Sequence, residues 1–125
     1  MGKKVMVCDD DLYVIETVGH VAREEGFEVI SAEDGAEGLR LAQDQHPDVL
    51  FLDVMMGGNT DGLAVCRELK SNPATRHTYV ILLTAMGQSS DVESGYRAGA
   101  DEYMTKPYST RILRQKLHQL LDKHL

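Results

Sequence analysis

The sequence predicts an α/β protein in which five parallel strands form one sheet with helices on both of its faces. Short runs typical of strands alternate with segments of helical spacing along the whole chain, five of each. The run VLFL before Asp53 is apolar on both faces, which is typical of a strand in the middle of a covered sheet. Strict alternation of this kind implies right-handed crossovers between parallel strands.

The strands are predicted at five short runs with turn-forming residues around them. They are residues 5–8, 27–31, 49–53, 79–84 and 102–105. The third run, which ends at Asp53, is expected to be the centre of the sheet. Lys106 and Pro107 are expected to form a turn after the fifth.

The helices are predicted where apolar residues recur at helical spacing. They cover about 12–22, 36–42, 63–70, 89–98 and 112–121. Gly26 is expected to cap the first helix, and Pro47 to follow the end of the second. The fourth helix is short and polar, whereas the fifth is clearly amphipathic.

A five-stranded doubly wound sheet of flavodoxin type, with strand order 2-1-3-4-5, is the expected arrangement. In that order the first and third strands are neighbours, so Asp9 and Asp10 are expected beside Asp53. Thr84 and Lys106 would arrive from the fourth and fifth strands. Polar residues at the ends of four strands would then meet at one edge, where open α/β sheets bind their ligands.

Length and charge limit the classes of protein to consider. A chain of 125 residues with 42% hydrophobic content is predicted to form one domain, residues 1–125. The net charge of -7 disfavours direct binding to nucleic acid or to an anionic membrane. Cys8 and Cys66 lie in apolar stretches without CxxC spacing, which is typical of a reduced protein. No membrane-spanning or secretion segment is recognisable, so a cytoplasmic location is expected.

The predicted acidic pocket implies a cation. Two carboxylates about 4 Å apart repel by about 4 kcal/mol at an effective dielectric constant of 20, so three ionised groups need a counter-charge. Oxygen ligands of this kind suit Mg²⁺, which commonly links carboxylates to phosphate oxygens. Asp53 is then a candidate nucleophile for phosphoryl transfer, and Lys106 a candidate partner for the added charge.

Four motifs together resemble the receiver domain of two-component response regulators. They are VCDDD at residues 7–11, Asp53 followed by VMM, LTA at residues 83–85, and GADEYMTKP at residues 99–107. The resemblance covers essentially the whole chain. It implies that Asp53 is the phosphoacceptor and that Asp9, Asp10 and Asp53 bind Mg²⁺ together with the backbone carbonyl of Met55.

The resemblance also implies a switch. Thr84 corresponds to the switch hydroxyl, Tyr103 to the switch aromatic residue, and Lys106 to the lysine that pairs with the phosphoryl group, its bond to Pro107 being cis in the family. The protein would catalyse only its own phosphorylation and dephosphorylation, so it would not be an enzyme in the ordinary sense.

The implied partners are proteins. A sensor histidine kinase or a histidine phosphotransfer protein would donate the phosphoryl group, and a downstream effector protein or domain would recognise the fourth helix, fifth strand and fifth helix. Tyr108 and Ile112 are candidate contacts on that surface. Dimerisation stays open at this point.

One departure from the family pattern lies in the loop after Asp53. Gly57 takes the place of the usual proline, and the segment to Asp61 is one residue longer. Glycine relaxes a backbone that proline would fix. In the family, the positions two beyond the acceptor and two beyond the switch threonine influence how water reaches the phosphoryl group. By the resemblance these are Met55 and Met86, and we expect their apolar side chains to slow dephosphorylation.

Three alternatives remain. A phosphohydrolase of the haloacid dehalogenase kind would also use Asp53, but it expects a second aspartate at the position of Met55. A flavin or nucleotide carrier would need a phosphate-binding loop after the first strand, where the three consecutive aspartates repel phosphate. A receiver domain that serves only as an interaction module is the third.

Overall fold

The computed structural model describes residues 3–56, 62–85, 89–106 and 108–123. Five strands alternate with five helices in this part of the chain. In chain order they are β1 (Lys4–Cys8), α1 (Leu12–Glu24), β2 (Glu28–Ala32), α2 (Gly35–Gln45), β3 (Val49–Asp53), α3 (Gly62–Ser71), β4 (Tyr79–Ala85), α4 (Ser89–Arg97), β5 (Glu102–Lys106) and α5 (Thr110–Lys123). All pairings are parallel and the order is β2-β1-β3-β4-β5. The predicted fold class and strand order are confirmed.

The central strand β3 is buried along its whole length. Its side chains alternate between two hydrophobic clusters, because successive residues of a strand point to opposite faces of the sheet. Val49 and Phe51 join the cluster covered by α1 and α5. Leu50 and Leu52 join the cluster covered by α2 and α3. A central strand that is apolar on both faces is therefore what the two helical layers require.

Five strand ends differ by one residue from the sequence prediction: β1 begins at Lys4, β2 runs from Glu28 to Ala32, β4 ends at Ala85 and β5 ends at Lys106. β2 begins at Glu28 rather than at Phe27, whose buried side chain packs into the cluster under α1 and α5. β5 includes Lys106, which was expected in a turn, because its pairing with β4 continues as far as Ala85. The backbone of Lys106 is therefore held in the sheet.

The two ends of α1 follow capping rules. Asp11 is the N-cap residue, and its carboxylate accepts a hydrogen bond from the Tyr13 N–H. At the other end Glu25 is the C-cap residue, and Gly26 follows it with a φ angle of 91°. This left-handed conformation is one that glycine adopts without steric cost, so Gly26 allows the chain to leave the helix.

The amino end of the sheet is held by Lys70, whose ammonium group lies 2.6 Å from the Thr78 carbonyl oxygen and 3.0 Å from that of Arg76. The same group lies 2.7 Å from Asp101 Oδ2, and this carboxylate oxygen also accepts a hydrogen bond from the Val80 N–H. One side chain of α3 therefore ties together the segments that enter β4 and β5. In the described part of the chain, no helix has the length and apolar character that a membrane span requires.

Candidate functional site

Three carboxylates meet at the carboxyl ends of β1 and β3. Cys8 pairs with Leu52 in the parallel register, so the residues that follow them, Asp9 and Asp53, emerge side by side. One carboxylate oxygen from each of Asp9, Asp10 and Asp53 lies within 4.8 Å of the others. Asp9 and Asp53 are buried, whereas Asp10 is exposed. The site therefore has a closed inner side and an open outer side.

Lys106 brings a positive charge to this cluster. Its ammonium nitrogen lies 2.9 Å from Asp9 Oδ2 and 3.5 Å from Asp53 Oδ1. Burial alone would lower the pKa of Lys106, but its hydrogen bond to Asp9 and the charge of Asp53 outweigh burial and raise it. Lys106 is therefore positively charged at neutral pH and touches both buried carboxylates.

The charged form of Asp53 is disfavoured. Burial, and then the charge of Asp9, raise the pKa of Asp53 to about 6, although Lys106 and the Met55 N–H oppose this shift. The Met55 N–H donates to Asp53 Oδ1 over 3.2 Å, and the Asp11 N–H donates to Asp9 Oδ1 over 2.9 Å. One ammonium group does not neutralise three carboxylates.

The site fits a divalent cation of the Mg²⁺ type. It offers carboxylate oxygens that are close enough to share one ion, and one of them belongs to a fully buried residue, Asp9. Hard oxygen ligands with an open outer side suit Mg²⁺, which keeps several waters. A bound cation would also offset the charge of Asp9, which after burial is the second cause of the raised pKa of Asp53.

Thr84 has an unusual environment for a buried hydroxyl. Its side chain is 2% exposed, and within the described residues its Oγ1 has no hydrogen-bond partner. It follows Leu83, the residue of β4 that pairs with Asp53. Buried hydroxyls are nearly always bonded, so Thr84 leaves an unused donor at the edge of the sheet where the carboxylates lie.

Tyr103 lies on β5, where it pairs with Leu82 of the neighbouring strand. Its ring is partly exposed and makes an edge-to-face contact with Tyr96 of α4, with 5.8 Å between the ring centroids. This aromatic contact joins β5 to α4. The spacing of Tyr96 in the sequence does not signal this ring pair.

The two candidate partner residues have different surroundings. Ile112 is 47% exposed on α5. Tyr108 is half-buried and lines a cleft of about 390 Å³ together with Tyr13, Val14, Thr17, Lys106 and Thr110. Burial, and then the charge of Asp9, raise the pKa of Tyr108 to about 12. Tyr108 therefore lies just before α5, in the cleft between that helix and α1.

Three features named from the sequence lie outside the described residues: the Gly57-Gly58 variation, Met86, and the bond to Pro107. Met55 is described, and its side chain is 70% exposed beside the pocket. Gly62, which the sequence pattern does not single out, lies directly against the backbone of Asp53. Its only sequence signal is its place after Asp61 at the start of a helix.

The fold and the pocket together define a class: a doubly wound α/β protein with an acidic, magnesium-type site at the carboxyl edge of its sheet. The family model for the response regulator receiver domain matches residues 5–118. The chain therefore belongs to the response regulator receiver domain family. Members of this family accept a phosphoryl group on an aspartate, act as switches rather than as classical enzymes, and generally bind Mg²⁺.

Solved structures agree with this assignment. A protein described as a response regulator from Chloroflexus aurantiacus J-10-fl is 32% identical, with a TM-score of 0.89, over 98% of this chain and 100% of that chain. The signal receiver domain of a signal transduction histidine kinase from Syntrophus aciditrophicus is 31% identical, with a TM-score of 0.87, over 100% of this chain and 95% of that chain. The chemotaxis response regulator CheY4 of Vibrio cholerae is 27% identical, with a TM-score of 0.87, over 96% of this chain and 99% of that chain.

Proposed function

We propose that Asp53 is the phosphoacceptor of this receiver domain, and that a sensor histidine kinase or a histidine phosphotransfer protein supplies the phosphoryl group. The observation that carries this proposal is the meeting of Asp9, Asp10 and Lys106 around the carboxylate of Asp53. A carboxylate oxygen of Asp53 attacks phosphorus and a P–O bond forms. The P–N bond to the donor imidazole breaks, and the leaving imidazole keeps the electron pair and takes up a proton.

The proposed metal ligands are the carboxylates of Asp9, Asp10 and Asp53 and the backbone carbonyl of Met55. Mg²⁺ bound there would supply positive charge to the carboxylates and to the phosphoryl oxygens. Lys106, which already contacts Asp9 and Asp53, moves its interaction to the phosphoryl group as that charge arrives. Its hydrogen bond to the phosphoryl group contributes about 1.5–3 kcal/mol.

The proposed switch begins at Thr84. Its orphaned hydroxyl donates a hydrogen bond to a phosphoryl oxygen, and this pull is transmitted to Tyr103 on β5. Because Tyr103 contacts Tyr96 of α4, the movement changes the surface formed by α4, β5 and α5. The free energy of one charge-assisted hydrogen bond is enough to shift a two-state equilibrium about tenfold or more.

A downstream effector protein or domain would read this surface, with the exposed Ile112 as a contact. Tyr108 is proposed as a second contact, in the cleft between α5 and α1. The net charge of -7 argues against direct binding to nucleic acid or to an anionic membrane. We further propose that residues 1–125 act as one receiver domain in the cytoplasm and catalyse only their own phosphorylation and dephosphorylation.

The test is intact-mass analysis after incubation with acetyl phosphate and Mg²⁺, with Asp53→Ala as the control. The proposal expects one added phosphoryl group in the wild type, dependent on Mg²⁺ and absent from the variant. Uptake of a phosphoryl group by Asp53→Ala would contradict it. Lack of uptake by the wild type, with donor and metal in excess, would favour a receiver domain that serves only as an interaction module.

A further inference from the structure

Gly62, the first residue of α3, lies directly against the backbone of Asp53. A Cβ atom at this position would lie 2.0 Å from the Asp53 carbonyl oxygen and 2.9 Å from the Val54 Cα. Both are backbone atoms, which cannot rotate aside as the end of a side chain can. Among the amino acids, only glycine therefore lets α3 begin this close to the end of β3.

One peptide unit connects Gly62 to the carboxylate of Asp53. The Gly62 N–H donates to the Val54 carbonyl oxygen, with 3.1 Å between nitrogen and oxygen. The Met55 N–H donates to Asp53 Oδ1 over 3.2 Å. The Val54 carbonyl and the Met55 N–H belong to the same planar unit, and in a trans peptide they point in opposite directions. Gly62 thus holds one end of a rigid plane, and the other end of that plane holds the carboxylate.

The preceding peptide unit is held from the other side. The Val54 N–H donates to the Leu83 carbonyl oxygen of β4 over 3.1 Å, and the Val54 side chain is buried. Two consecutive peptide planes after Asp53 are therefore fixed, one by β4 and one by the first turn of α3. The orientation of the carboxylate depends on both.

We propose that Gly62 is a positioning residue for phosphoryl transfer and acts on Asp53 through the Val54–Met55 peptide. This inference rests on the proposed role of Asp53 as the phosphoacceptor. A methyl group on residue 62 forces α3 away from β3 or rotates the peptide plane, and either movement releases Asp53 Oδ1 from the Met55 N–H. A displacement of about 1 Å in a reacting group costs about 100-fold in rate.

The chain offers a matched control in Gly95 of α4. A Cβ atom there would lie 2.3 Å from Leu82 Cδ1, so Gly95→Ala also introduces a close contact. The atom that it meets is the end of a flexible side chain, which can adopt another rotamer. Gly95→Ala therefore disturbs packing without touching the backbone that follows Asp53.

The experiment measures the maximal rate of phosphorylation at saturating acetyl phosphate and Mg²⁺, by intact mass, in the wild type, Gly62→Ala and Gly95→Ala. We expect Gly62→Ala to lose about 100-fold in maximal rate and to keep a half-saturating donor concentration near the wild-type value. The maximal rate of Gly95→Ala should stay near that of the wild type. Gly62→Ala at the wild-type maximal rate would overturn the positioning role alone. Asp53→Ala that is still phosphorylated would overturn the proposed function itself.

A second measurement does not require Gly62→Ala to fold. In amide NMR spectra of Asp53→Ala, the Met55 amide loses its acceptor. Because one peptide plane links the two sites, the Gly62 amide resonance should move with that of Met55, whereas the Gly95 amide should not. A Met55 shift without a Gly62 shift would refute the connection through the peptide.

Discussion

Removal of the orphaned hydroxyl of Thr84 should make the unphosphorylated protein more stable. A buried hydroxyl without a partner costs about 1–3 kcal/mol, and Thr84 is such a residue at 2% exposure. Thr84→Val keeps the branched shape and removes the polar atom. We expect the free energy of unfolding to rise by about 1–2 kcal/mol, and the Tm to rise by about 4 °C for each kcal/mol.

Thr78 provides the matched control. Its side chain is fully buried, and its hydroxyl donates to the Pro47 carbonyl oxygen over 2.8 Å. Thr78→Val removes a made hydrogen bond, so the same chemical change should lower the free energy of unfolding by about 1–2 kcal/mol. The free energy of unfolding of both variants is measured by urea denaturation without metal. Equal m-values show that the variants expose the same surface on unfolding, so that a shift of the midpoint reports a change in stability.

The free energy of unfolding is expected to rise in Thr84→Val and to fall in Thr78→Val. If Thr84→Val loses stability as Thr78→Val does, the Thr84 hydroxyl is already hydrogen-bonded before phosphorylation. It is then not a free donor for a phosphoryl oxygen, and the proposed switch is wrong at this point. The stabilised variant should also fail to switch. After phosphorylation, partner binding by Thr84→Val should remain at the unphosphorylated level, and wild-type gain of binding would count against the proposed switch.

Three further predictions concern residues around the pocket. Lys106→Met should lower the free energy of unfolding of the metal-free protein by about 3 kcal/mol, because the buried carboxylate of Asp9 loses its cation. In urea titrations Mg²⁺ should recover part of this loss, and a variant with the wild-type urea midpoint would contradict the prediction. Burial raises the pKa of Cys8 to about 12 and that of Cys66 to about 11, so neither thiol should react with a disulfide reagent at pH 8 until urea unfolds the protein. Rapid labelling without urea would show that the thiols are accessible. Met55→Asn should shorten the lifetime of the phosphorylated protein, because an amide can orient water where a thioether cannot; an equal or slower decay would reject this role.

The sheet was predictable because its strands are short apolar runs. The bounds predicted for the central strand, Val49–Asp53, match the structure, since an apolar run that ends in a carboxylate marks both the strand and its end. The alternation of strands and helices implies parallel pairing with right-handed crossovers, but it does not fix the strand order. The order 2-1-3-4-5 was expected from the flavodoxin type, and the structure has that order. Lys106 was expected in a turn together with Pro107, but its backbone pairs with Ala85 of β4 and so belongs to the strand.

The meeting of Asp9, Asp10 and Asp53 was predictable for the same topological reason, because the ends of neighbouring parallel strands share one edge. The contacts that modify the site could not be predicted from the sequence. The orphaned state of Thr84 and the closeness of Gly62 to Asp53 depend on distances of a few tenths of an ångström, which residue types do not encode. The direction of Tyr108 likewise depends on how α5 packs against α1.

The bonded cluster around Lys70 has a consequence for how the protein can evolve. Lys70 binds the Thr78 carbonyl oxygen and the Asp101 carboxylate at the amino end of the sheet. The opposite end carries the three carboxylates and, within the described residues, the orphaned hydroxyl of Thr84. The contacts of Lys70 therefore lie away from the acidic pocket. We expect substitutions near Lys70 to change the free energy of unfolding without touching a residue of the acidic pocket, so that selection can act on stability and on signalling separately.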